Sequence, residues 1–87
     1  METTELRNRI KEAVAVLENY RGFGPMVGEG IDALKRIAAC VAKPTPERVA
    51  EAKRLLEGLS REIRPYRGYV PTVAQTLQEL NTWIGDR

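Results

Sequence analysis

One eight-residue stretch occurs twice in this chain, and it constrains the fold more than any other feature. Tyr20-Arg21-Gly22-Phe23-Gly24-Pro25-Met26-Val27 returns 46 positions later as Tyr66-Arg67-Gly68-Tyr69-Val70-Pro71-Thr72-Val73. Five of the eight positions are identical, and a sixth exchanges one aromatic residue for another. The apolar pattern around the stretch repeats with the same offset. Leu6, Ile10, Ala13, Leu17 and Tyr20 fall on Ala52, Leu56, Leu59, Ile63 and Tyr66, while Val27, Ile31, Leu34 and Ala38 fall on Val73, Leu77, Leu80 and Ile84. Two amphipathic segments match in phase easily; two that also share the intervening aromatic, glycine and proline positions point to an internal duplication.

Steps of four and three residues between apolar positions are those of helices packed along a narrow seam. Each half therefore reads as a helical hairpin, residues 3–43 and 45–87, within one helical domain spanning 1–87. A hairpin that buries one stripe per helix has no core of its own, so two must pack together. Short connections make sequential helices antiparallel. The fold expected is all-α, an up-down-up-down four-helix bundle in which the first and third loops share one end.

Local signals mark the helix ends. Thr3 or Thr4 is a candidate cap for the first helix, Thr45 for the third, and Pro25, Pro46 and Pro71 suit first helical positions, where no N–H is required. Pro65 should end or kink the third helix near Ile63 or Arg64. Gly22 and Gly68 are expected as left-handed helix caps, with Phe23 folding back on Leu17. Gly28 and Gly30 weaken the first turn of the second helix.

Composition excludes several kinds of chemistry. The chain has no histidine and one cysteine, Cys40, so histidine acid–base work, a cysteine–histidine pair and the usual zinc sites are absent, as is an internal disulfide. Cys40 lies beside the apolar stripe and reads as a partly buried small hydrophobe rather than a reactive thiol. Glu5, Glu12, Glu18, Glu51, Glu57, Glu62 and Glu79 avoid the seams, which argues against a bundle di-metal site. The glycine-rich run from Gly22 to Gly30 follows a helix and lacks a closing Gly-Lys-Ser/Thr, so it is not a phosphate loop. No apolar run approaches the ~20 residues of a membrane span. The N-terminal Met-Glu-Thr-Thr-Glu lacks the layout of a secretory signal, and a cytoplasmic protein is expected.

With 43% hydrophobic and 30% charged residues the chain can bury a core, and a net charge of +2 is too small to imply nucleic acid. Lys53, Arg54, Arg61, Arg64 and Arg67 on the third helix interleave with Glu47, Glu51, Glu57 and Glu62, the mixture of a solvated face. Four of the five aromatic residues belong to the two repeated loops. Tyr20, Arg21, Phe23, Arg64, Tyr66, Arg67 and Tyr69 are therefore the candidate binding residues, gathered at one end of the bundle. They serve either as a plug for the core or as a composite recognition surface, tyrosine and arginine being frequent interface anchors. The function expected is a non-catalytic interaction or regulatory protein. No cofactor or metal is called for, and its partner is another protein or a second copy of the chain. A binder of anions, nucleotides or nucleic acid through Arg21, Arg64 and Arg67 is the alternative.

Overall fold

Helices form where the periodicity places them and stop where the prolines and glycines lie. The computed structural model describes residues 3–86. It contains α1 (Thr3–Glu18), α2 (Pro25–Ala42), α3 (Pro46–Ile63) and α4 (Pro71–Gly85). A single 3-10 turn follows α1, at Arg21–Phe23, and another follows α3, at Arg64–Tyr66. There is no strand among the described residues.

Three of the four helices begin on a proline, each at a position with no intrahelical partner for an N–H. Thr45 caps α3, its Oγ1 accepting from the Arg48 N–H at 3.2 Å. Pro65 ends α3 at Ile63 and opens the following 3-10 turn. Because α1 begins at Thr3, Thr3 and Thr4 are helical rather than capping, and the cap position lies outside the described residues.

The helices pack as a closed ring, α1 against α2 and α4, and α3 against the same two neighbours. The body measures 34 × 21 × 18 Å, its long axis slightly exceeding the length of an 18-residue helix plus its turns. Leu6, Ile10 and Ala13 of α1, Ile31, Leu34 and Val41 of α2, Ala52 and Leu56 of α3, and Val73 and Leu80 of α4 fill the centre. Each fully buried leucine or isoleucine contributes about 1.5–3 kcal/mol of burial.

The buried faces are wider than the seams. Ile37 and Cys40 on α2 and Thr76 and Trp83 on α4 are also buried, whereas Val27, Ala38, Val49, Ile63 and Ile84 are only half-buried. The ring explains the difference: a helix that touches two neighbours buries a broad arc, while a single heptad seam describes contact with one. Thr76 is tolerated inside because its hydroxyl donates to the Thr72 carbonyl at 2.9 Å, with the Arg9 carbonyl of α1 also in reach at 3.3 Å.

The expected glycine caps are not where the sequence placed them. Gly24 alone among the described residues has positive φ, at 139°, whereas Gly22 lies inside the first 3-10 turn and Gly68 in an ordinary turn. The two loops, so alike in sequence, also differ in shape. The second 3-10 turn comes three residues earlier relative to the repeat, because Pro65 stands where the first copy has Asn19. Val70, the counterpart of Gly24, has φ −133° and is buried. Gly24→Ala should therefore cost about 1–3 kcal/mol in chemical denaturation. Gly22→Ala and Gly68→Ala, with no atom within 4 Å of an added Cβ, should be neutral or stabilising by up to about 1 kcal/mol.

Candidate functional site

Both repeated loops open onto one apolar groove of about 510 Å³. Its floor consists of buried residues: Leu17 at the end of α1, Gly30 on α2, Leu59 on α3, and Val70 at the start of α4. Tyr20, Val27 and Ile63 form half-buried walls. Phe23, Met26, Tyr66 and Tyr69 stand around the mouth, 80%, 41%, 47% and 75% exposed. These four are the exposed large hydrophobic side chains among the described residues, and all of them belong to this one groove. Their convergence is not what an even scatter of surface apolar residues would give.

Backbone bonding holds the loops in this arrangement. The Phe23 N–H donates to the Tyr20 carbonyl at 3.0 Å, and the N–H groups of Tyr69 and Val70 both donate to the Tyr66 carbonyl, at 2.9 and 3.2 Å. Each loop is thereby tightened into a short turn, with Phe23, Tyr66 and Tyr69 exposed and Tyr20 packed against the core. Phe23 does not fold back on Leu17 as the sequence suggested; its ring leans on Tyr20, with centroids 5.5 Å apart and planes 35° from parallel. Tyr66, expected as a buried seam residue, is half out in solvent.

Gly30 lies in the floor. A Cβ built on Gly30 would meet Leu59 Cδ2 at 3.4 Å and Leu17 Cδ1 at 3.9 Å, so at the floor these two leucines approach the α2 backbone to ordinary contact distance of an added methyl. Gly28, one turn from Pro25, leaves room for Arg21, whose Nη1 passes 3.6 Å from where a Cβ would stand.

The arginines are arranged differently from the aromatics. Arg21 makes a bidentate contact with Glu18, Nε donating to Oε2 at 2.6 Å and Nη2 to Oε1 at 3.1 Å. That hydrogen bond lowers the Glu18 carboxyl below its usual range and raises the guanidinium of Arg21. Arg64 and Arg67 are exposed and, like Arg21, are not among the groove-lining residues. The structure thus brings together Tyr20, Phe23, Tyr66 and Tyr69 of the seven candidates and leaves Arg21, Arg64 and Arg67 outside. The ionisable side chains at the groove wall, apart from the tyrosine hydroxyls, reduce to Glu62.

Sequence reasoning missed Met26, Gly30, Glu62 and Val70. Met26 and Val70 sit within the repeated stretch, at positions where the two copies differ, and that difference was the available signal. Gly30 and Glu62 carry none, because a glycine one turn into a helix and a glutamate among mixed charges look ordinary.

A second concavity, about 680 Å³, lies between the α2–α3 connection and the end of α4, lined by Pro44, Thr45, Pro46, Val49, Glu79, Thr82, Trp83 and Asp86. Its walls are of mixed polarity. Glu79 Oε1 faces Arg9 Nη1 at 3.8 Å, and Oε2 is buried without a hydrogen-bond partner. Among the described residues no three side chains of the His, Cys, Asp and Glu types gather as a metal site would require, and no helix is long and apolar enough to cross a membrane.

Away from both cavities, Arg36 of α2 grips Glu51 of α3 through Nε at 3.2 and 3.1 Å, and the Cys40 thiol donates to Glu51 Oε1 at 3.5 Å. Burial, followed by this bond to a carboxylate, pushes the Cys40 thiol up, which keeps it protonated and unreactive. No family model, curated protein or solved structure matches this chain.

The Arg36 hydrogen bond holds the Glu51 carboxyl below its usual range. A depressed carboxyl stabilises the fold above the unfolded value, about 4.3, and that contribution fades as pH falls through the lower folded value. Replacing Arg36 with methionine should therefore reduce stability at neutral pH, and the difference between wild type and variant should shrink as pH falls below the unfolded value, about 4.3. Urea denaturation at a series of pH values reads this directly.

Proposed function

We propose that this chain is a non-catalytic interaction module that holds an apolar segment of a partner protein in the groove between its two aromatic loops. The observation that carries the reading is the gathering of Phe23, Met26, Tyr66 and Tyr69, all solvent-exposed, around an apolar floor of Leu17, Gly30, Leu59 and Val70. Leaving four large apolar side chains in water at one place is unfavourable for an isolated chain, and a partner that covers them recovers that free energy. Tyrosine and phenylalanine bring much contact area with few rotatable bonds, which suits them to anchoring.

The architecture supports this assignment. An up-down-up-down bundle made of two related hairpins, residues 3–43 and 45–87, sets its first and third connections side by side. A duplicated loop then supplies both sides of one groove. The shift of the second 3-10 turn and the exchange of Gly24 for Val70 make the two sides unlike, so the groove is suited to an asymmetric occupant.

Catalysis is not part of the reading, because the groove lining is mostly apolar and its ionisable groups are three tyrosine hydroxyls and one carboxylate, Glu62, with no histidine, cysteine or cationic side chain among them. The alternative, anion or nucleic-acid binding through Arg21, Arg64 and Arg67, is less well supported. An anion at Arg21 would have to displace a bidentate carboxylate, and none of the three arginines lines the groove.

The test uses the Phe23→Ser, Tyr69→Ser double variant. Both side chains are mostly exposed, so the unfolding midpoint should correspond to a change within about 0.5 kcal/mol per site. A partner captured by the wild-type chain from its native cells, then purified and titrated, should bind the variant at least about tenfold more weakly. The Arg21→Ala, Arg67→Ala variant should lose much less. Equal affinity for wild type and the aromatic double variant would overturn the assignment, and a larger loss from the arginine pair would favour the anion reading.

A further inference from the structure

The chemistry of the groove limits what form its occupant takes. A peptide lying there in extended form would bring unpaired backbone N–H and C=O groups into apolar surroundings, at a substantial cost for each group left unsatisfied. The groove has little to offer them. The N–H groups of Phe23, Tyr69 and Val70, which face the loops, already donate to the Tyr20 and Tyr66 carbonyls, and no strand edge exists among the described residues. An occupant must therefore carry a backbone whose hydrogen bonds are closed internally, as an α-helix does.

Charge narrows the choice further. Glu62 stands at the groove wall between the apolar floor of Leu59 and the ring of Tyr66, and it is exposed with no ion pair among the described residues. Glu18 at this end is already held by Arg21, and Glu29 of α2 does not line the groove. A lysine or arginine carried beside the apolar stripe of the occupant would thus meet one free carboxylate rather than a neutralised pair.

Resting on the interaction reading above, we infer that the groove recognises an amphipathic α-helix of a partner protein, seated by its apolar stripe, with a basic residue at the edge of that stripe paired to Glu62. The basic residue orders the helix in one direction and register, while the aromatics and Met26 supply the contact area. The thioether and the two projecting rings can adjust to different apolar side chains, so the sequence requirement lies in the pattern rather than in particular residues.

Three labelled peptides test this against the full chain. The first is a helix of about 18 residues, about 27 Å long, with leucines at i, i+3, i+4 and i+7 flanked by lysines. The second replaces those lysines with glutamates, and the third keeps the lysines but breaks the helix with two central prolines. The first should bind saturably, and binding should be lost in the Phe23→Ser, Tyr69→Ser variant. The second should bind about two- to fivefold more weakly, as expected of a solvent-accessible ion pair. Glu62→Gln should abolish that difference and Glu62→Lys should invert it. The proline peptide should bind at least about tenfold more weakly than the first.

Equal binding of the proline peptide would overturn the helical occupant, and a charge preference unmoved by Glu62→Lys would overturn the pairing. Occupation of the groove by dodecanoate, by vesicles of phosphatidylcholine and phosphatidylglycerol, or by a second copy of the chain, with no binding of the helical peptide, would overturn both. Each of these results leaves a groove that binds something. Only a natural partner indifferent to Phe23 and Tyr69 removes the underlying interaction reading, so the two failures are distinguishable.

Discussion

The structure depends on the tight turns at its loop end, which leave Phe23, Tyr66 and Tyr69 in solvent while Tyr20 packs against the core. The turns close within three residues through bonds from the Phe23 and Tyr69 N–H groups to the Tyr20 and Tyr66 carbonyls. Gly30 lies in the floor beneath them. The end of the core is left as an apolar groove with aromatic sides.

Burial and ion pairs close the other potential sites. Cys40, the one thiol, is buried and bound to Glu51, which is itself gripped by Arg36 across the α2–α3 contact. Arg21 is tied to Glu18, and Arg9 approaches Glu79 across the α1–α4 contact. These exposed pairs add little stability individually, but they fix charges that would otherwise compete for an incoming ligand. Glu62 is left as the carboxylate of the groove wall.

Much of the helical architecture was legible in the sequence because it follows from local chemistry. Prolines at 25, 46, 65 and 71 mark the helix ends, and the heptad steps locate Leu6, Ile10, Ile31, Leu34, Leu56 and Leu80 in the core. The breadth of the buried faces was not legible, since Ile37, Thr76 and Trp83 are buried by a second neighbouring helix that no single periodicity describes. Within the groove, the four loop aromatics could be read from their place in the repeat. Identical letters nevertheless hid different backbones. Gly22 and Gly68 look like caps, yet Pro65 shifts the second turn and only Gly24 takes positive φ. The arginines lie outside the groove lining, and the pairing of Arg21 with Glu18 is not something a sequence reveals.

The central claim is that the loop aromatics stand beside an open groove instead of plugging the core. Aromatic proton relaxation in the presence of a neutral soluble paramagnetic probe, measured on the free chain, tests it most directly. Phe23 and Tyr69 should be attenuated most strongly, Tyr66 to an intermediate extent, and Tyr20 and the buried Trp83 least. Protection of Phe23 and Tyr69 to the level of Trp83 would show that the rings close over the core, and the groove would not exist in the free protein.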